Sequence, residues 1–332
     1  MPLHRLTQIV MGVPNVEQTA AYYQDFGLTP SGGPLDTGAP DSGPVDAPAA
    51  TTHKNGQRFR TVDGGEQLRI VRTPRRRLVE LGVGVDDPDD LNRVTASLAL
   101  LGVAADRTPS AVAAVDPGTE VRVRVELSPR YQQTATPLPA YNAPGINTRL
   151  QERAAGILRE APVQPRKLGH VVLGSTDQEF SQRFFQEGIG FKVSDTVKGL
   201  AAFMRCSSDH HNVLVQQAPV PYLHHTSWQV DDVDEVGRGA TAMLQADPDR
   251  HTWGLGRHFI GSNFFWYLKD PAGTFSEYYS DLDCIVDDAL WTPGQWEGAK
   301  SLWAWGPPPP PSFLAPEDLA DLMTGAHSGP TK

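Results

Sequence analysis

The chain has 332 residues, 39% of them hydrophobic and 20% charged, a composition ordinary for a soluble globular protein of about two domains. A formal net charge of −10 without a basic cluster argues against nucleic acid as a partner, and no apolar run approaches the roughly 20 residues that cross a bilayer. Two cysteines, Cys206 and Cys284, cannot build a disulfide framework or a thiolate metal site, so any metal falls to nitrogen and oxygen donors.

The first residues, MPLHRLTQIVMG, lack the regions of a secretory signal, and a cytoplasmic location is expected. RLTQIVMGV (5–13) then alternates as a strand, and VEQTAAYYQDFGL (16–28) reads as a short amphipathic helix closed by Gly27. Residues 29–56 are rich in Pro, Gly, Asp and Ala and read as a surface loop. RFRTVDG and EQLRIVRT follow as short strands, LVELGVGV as another, and DPDDLNRVTASLALLGV as a helix whose acidic first turn suits the helix dipole. DPGTEVRVRVEL closes this half.

The same grammar then restarts. KLGHVVLGSTDQEFSQRFFQEGIGF (167–191) repeats RLTQIVMGVPNVEQTAAYYQDFGL, with Gly174 on Gly12 and Phe184-Phe185 on Tyr22-Tyr23. YLHHTSWQVDDVDEVGRGATAML repeats RLVELGVGVDDPDDLNRVTASLA, and DPAGT (270–274) repeats DPGT (116–119). Each half is therefore two strand-helix-strands units. The expected division is a first domain over 1–130, a proline-rich connector over 131–165, a second domain over 166–282 and a tail over 283–332.

Seven of the ten histidines fall between His170 and His258, and three side chains there suggest chemistry. His170 and His225 occupy the same register in their strands, and Glu277 interrupts the aromatic strand that follows the DPAG turn. Singly, each has an ordinary reading: a core histidine, one member of an HH pair facing outward, a carboxylate at a sheet edge in water. Together, two imidazoles and a carboxylate from three strands form the facial triad that leaves open positions on a non-haem Fe(II). His224 is expected on the opposite face from His225. In the first half the triad positions become Gln8, Glu80 and Arg122, the last two able to pair as ions, so the first half reads as a structural copy.

The second half resembles the type I extradiol catechol dioxygenases of the vicinal oxygen chelate superfamily. The resemblance rests on Gly256-x-His258, Trp266-Tyr267, Asp270-Pro271-Ala272-Gly273 and Glu277, and extends weakly through the first half, over about residues 5–282. Trp266 stands where that family has an aliphatic residue or phenylalanine, and alternation turns it away from Tyr267.

What the resemblance implies is an α+β fold of two tandem domains, each a pair of βαβββ modules, with the metal in the second. It implies that His170, His225 and Glu277 bind Fe(II), with Mn(II) an alternative, and that His211 is the acid-base histidine, subject to exchange with His210 on a one-residue slip. His258 and Tyr267 then hydrogen-bond the substrate oxygens. The implied reaction inserts both atoms of O2 into a catechol outside its two hydroxyls, giving a muconic semialdehyde-type product. The family habit is a homo-oligomer. Phe265, Trp228, Phe203 and Tyr279 are candidates to line an apolar pocket, each with the alternative of being core.

Other readings of the same fold stay open at this point. One is a hydroquinone-cleaving or hydroxyphenylpyruvate dioxygenase-like metalloenzyme, and another is a small-molecule binding protein without redox chemistry. The tail carries four of the seven tryptophans and five consecutive prolines, Pro307–Pro311, and is expected to pack on the body or on a neighbouring subunit, with an SH3-type ligand as the alternative.

Overall fold

The fold is described from a computed structural model over residues 3–32 and 56–324. The predicted loop at 29–56 lies outside the described residues from 33 to 55.

Two mixed sheets carry the chain. The first uses β1 (Arg5–Val13), β2 (Thr29–Pro30), β3 (Gln57–Thr61), β4 (Gly65–Arg72), β5 (Arg77–Val85), β6 (Ala105–Thr108), β7 (Ala111–Val115) and β8 (Arg122–Leu127), in the order β2-β3-β4-β1-β5-β8-β7-β6. The second uses β9 (Lys167–Ser175), β10 (Lys192–Val197), β11 (Ala201–Arg205), β12 (Val213–Gln217), β13 (Tyr222–Gln229), β14 (His251–Arg257), β15 (Phe264–Lys269), β16 (Phe275–Ser280) and β17 (Gly294–Trp296), in the order β14-β15-β16-β13-β9-β12-β11-β10-β17.

The internal repeat is visible in the pairing. In all four units the first strand runs parallel to the last: β1 with β4, β5 with β8, β9 with β12, and β13 with β16. Within each half the two units join by an antiparallel pair, β1 with β5 and β9 with β13. This is the α+β architecture of tandem vicinal oxygen chelate domains. The crossover in each unit is a helix, and where the acidic first turn was noted the cap is explicit. Asp87 and Asp90 form a reciprocal capping box on Pro88–Leu100, and the Asp232 side chain accepts from Glu235 N at 3.1 Å to open Val233–Ala246.

One hydrophobic core spans both halves. The helix Val16–Asp25 of the first half lays Tyr23 against Trp228 (ring centroids 6.2 Å), and Phe26, just past its end, stacks on Tyr278 at 3.8 Å. Trp228, proposed as a pocket residue, therefore belongs to this interface. The reason is alternation: His225 and Ser227 face one side of β13, whereas Thr226 and Trp228 face the first half.

The repeat also corrects one equivalence. Glu80 and Arg122 do pair, at 3.4 Å, but Glu277 lies opposite Ser227 in the β13–β16 ladder, and the residue in the same place in β5–β8 is Arg124, opposite Gly82. The turns that precede β8 and β16 differ in length, so a register read across them slips by one step of the pleat.

The tail returns to the body. β17 adds to the edge of the second sheet beside β10, Trp291 Nε1 donates to Ser194 O at 2.8 Å, and Trp253 Nε1 donates to Pro307 O at 2.7 Å.

Candidate metal centre

Four neighbouring strands, β15-β16-β13-β9, present one face to the site. Tyr267 lies opposite Glu277, Glu277 opposite Ser227, and Ser227 opposite His170, while His225 sits two residues before Ser227 on the same face. Strands about 4.8 Å apart thus bring together side chains separated by more than a hundred residues of chain.

Three ligand-type atoms converge. His170 Nε2 is 3.1 Å from Glu277 Oε2, His225 Nε2 is 3.7 Å from the same oxygen, and the two imidazole nitrogens are 3.4 Å apart. Among the described residues this is the one group of three such side chains whose ligand atoms lie within 4.8 Å of one another. Donors about 2.1 Å from an ion and at right angles to one another sit about 3 Å apart, so the spacing fits a facial set. Glu277 is fully buried and its Oε2 has no hydrogen-bond partner, a costly state for a carboxylate unless a cation completes it. The residues present therefore fit a divalent metal.

The other three predicted residues lie around this group. The His211 ring is 4.3 Å from the His170 ring and 5.1 Å from Phe203, which places His211 rather than His210 beside the triad. His210 stands one step back, with Nδ1 3.1 Å from His211 Nδ1 and Nε2 3.2 Å from Asp195 Oδ2. Tyr267 OH and His258 Nε2 are 2.9 Å apart, and His258 Nδ1 donates to Leu302 O at 2.6 Å, so the tyrosine hydroxyl is the donor to His258. Of the proposed pocket aromatics, Phe203, Phe265 and Tyr279 touch His211, His258 and His170 respectively.

Electrostatics follow from burial. Burial, reinforced by His170 and His210, holds the His211 imidazole well below its ordinary range, and burial does the same for His225 and, less strongly, His258. Burial and the Glu277 charge push the Tyr267 phenol well up, so it stays protonated. Burial raises the Glu277 carboxyl, but the close approach of the His170 imidazole, with His258 and Ser227 nearby, outweighs it and holds it low. Side-chain exposure rises from 0% at Glu277 to 15% at His258, so the His258 side of the group lies nearer solvent.

Four features escaped sequence reasoning. Asn263 donates to Glu277 Oε1 at 3.1 Å, fixing the carboxylate from the loop before β15. Trp253 lies flat against Tyr267, with planes 9° apart. Phe313 packs on His224, His225, Tyr267 and Trp253 from the tail. His224 does not point away from His225: a register shift in the β13–β9 ladder between Leu223 and His225 breaks the alternation and brings the two Nδ1 atoms to 2.8 Å. Burial pushes His224 down to about 4, so it is neutral. The Asn263 signal was local, five residues after His258, and Trp253 faces Tyr267 across the β14–β15 hairpin; the Phe313 contacts depend on long-range docking and the His224 position on the register shift.

Residues 167–278 match the Glyoxalase/Bleomycin resistance protein/Dioxygenase superfamily. The matched segment is the one that carries His170, His225 and Glu277. Among curated proteins, the chain is 34% identical over 196 residues to metapyrocatechase 2 of Cupriavidus necator, covering 58% of this chain and 59% of that protein. It is 30% identical over 151 residues to an iron-dependent extradiol dioxygenase of Rhodococcus jostii, covering 41% and 49%. The chain thus spans less than two thirds of the length of either relative. In fold it is similar to the Mn(II)-bound glyoxalase of Novosphingobium aromaticivorans, with a TM-score of 0.68 over 92% of this chain and 91% of that one at 24% identity.

Proposed function

We propose that the chain is an extradiol ring-cleaving dioxygenase that inserts O2 into a catechol-type diol, with the chemistry confined to the second domain, residues 166–282. The observation that carries the proposal is the convergence of His170 Nε2, His225 Nε2 and Glu277 Oε2 within 3.7 Å, ringed by His211, His258 and Tyr267. These three side chains would hold Fe(II), for which Mn(II) is the alternative; the Rhodococcus relative is named for iron and the Novosphingobium neighbour carries manganese. A divalent ion held by three ligands supplies a common point of attachment, with vacant positions, for both diol oxygens and dioxygen.

The chain's own residues supply the rest. The neutral His211 imidazole has its Nδ1 engaged by His210, which leaves Nε2 to take a proton from the diol and return one to the cleaving oxygen. Tyr267 donates its O–H in a hydrogen bond to His258 Nε2, so the phenol oxygen turns a lone pair toward a bound hydroxyl. Phe203, Phe265 and Tyr279 provide apolar walls that suit an aromatic ring and keep water away. This requirement for an acid-base histidine and a Tyr-His pair beside the triad favours a catechol over the hydroquinone and hydroxyphenylpyruvate alternatives.

The test is anaerobic loading with Fe(II), then oxygen uptake and product absorbance against catechols, hydroquinone and 4-hydroxyphenylpyruvate. The expected result is one O2 consumed per catechol with a yellow product, and loss of both bound metal and turnover in His170→Ala and Glu277→Ala. Retention of metal and turnover in those two variants overturns the assignment.

A further inference from the structure

We infer that His224 and the main-chain carbonyl of Phe313 set the tautomer of His225, so that the C-terminal tail prepares one member of the triad for metal binding. The inference rests on the proposed role of His225 as a ligand and adds two positioning groups to it.

Phe313 lies near the end of the four-residue helix Pro311–Leu314, whose last carbonyls have no partner within the helix. Its carbonyl oxygen is 2.7 Å from His224 Nε2. A carbonyl only accepts, so His224 Nε2 carries the hydrogen. The two Nδ1 atoms of His224 and His225, 2.8 Å apart, then share a single hydrogen. Placing it on His224 would make that ring a buried cation beside Arg76, whose guanidinium donates to the neighbouring Leu223 carbonyl. The hydrogen therefore sits on His225 Nδ1, and the lone pair of His225 falls on Nε2, the nitrogen that faces His170 and Glu277.

The same relay is absent at the other imidazole: among the described residues His170 Nδ1 has no hydrogen-bond partner. His225 is thus the ligand whose orientation and basicity the protein controls from behind, in the manner by which an outer hydrogen-bond acceptor tunes a metal-bound histidine. The tail is built to hold that acceptor still. Trp253 Nε1 grips the Pro307 carbonyl at 2.7 Å, the prolines that follow are extended and stiff, and the Phe313 ring is wedged against Tyr267 at 4.6 Å and Trp253 at 4.8 Å.

The first measurement is the 15N spectrum of the histidine rings in metal-free protein, where His225 is expected to be protonated at Nδ1 and bare at Nε2. The second is Mn(II) affinity by titration calorimetry. His224→Phe keeps a planar ring but removes the acceptor, and is expected to weaken Mn(II) binding by about 10- to 100-fold. His224→Gln, whose amide accepts through oxygen and donates through nitrogen, is expected to restore most of the loss. The wild-type ring spectrum decides the tautomer even if His224→Phe does not fold. A His225 ring protonated at Nε2 overturns the inference, as does wild-type Mn(II) affinity in His224→Phe while His170→Ala loses the metal. Wild-type affinity in both variants removes the metal reading and this inference with it.

Discussion

Burial holds His4, His211, His224, His225 and His258 below the ordinary histidine range, His224 at about 4. A group whose folded value is depressed contributes stability above its unfolded value, near 6.5, and loses it as pH falls through the folded value. Asp270, buried in the DPAG turn and pushed up to about 7, has the opposite sign: its contribution is complete below its ordinary value near 4 and disappears as pH rises toward 7. Five histidines set against three raised carboxylates, Glu80, Asp116 and Asp270, leave metal-free protein acid-labile between about pH 6.5 and 4. Unfolding free energies from urea titration should fall over that window, each net proton being worth about 1.4 kcal/mol per pH unit, and Asp270→Asn should steepen the fall. A value that holds or rises on acidification contradicts this account. At this scale residue types in strand register were legible: His170, His225 and Glu277 meet because period 2 and an internal repeat place them. What alternation could not supply was the shift at Leu223–His225, since a bulge leaves no mark in a string of buried residues.

The tail's docking was readable from its tryptophan load, but not its contacts, which join parts of the chain far apart in sequence. Arg76, 1% exposed and in the segment between β4 and β5, forms a bidentate pair with Asp318 at 2.6 and 2.8 Å and also donates to Leu223 O in β13. One guanidinium therefore ties the first half, the second half and the tail. Arg76→Ala leaves a buried carbonyl and a largely covered carboxylate without their partner, a change that costs about 1–3 kcal/mol once the partial exposure of Asp318 is allowed for. The predicted outcome is faster limited proteolysis within residues 307–320 and weaker metal retention, with the secondary structure unchanged by circular dichroism. Cleavage at the wild-type rate would show that the tail is held by its aromatic contacts alone.

Across the whole molecule, duplication has given two sheets with one kind of site. Where the second half sets His225 and Glu277, the first sets Glu80 among Arg122 and Arg124. A dication beside Glu80 would have to share the place with the guanidiniums of Arg122 and Arg124, so elemental analysis of loaded protein should return one metal per chain. Two per chain would mean that the first sheet binds as well. The sequence overlay showed this degeneration in kind and misplaced it by one pleat, because turn lengths are free to vary while ladder registers are not.

The strand that carries Glu277 is shared between the halves in an alternating way. Glu277 looks into the site, whereas Ser276 and Tyr278 reach back to Tyr23 OH at 3.0 Å and Phe26 O at 2.7 Å. The first half thus acts as a backing plate for the half that carries the triad. Severing the chain at its connector would strip that plate away and leave Trp228 and Tyr278 as a bare aromatic surface, so a shortened chain has to retain the first half or repaint that surface with polar side chains.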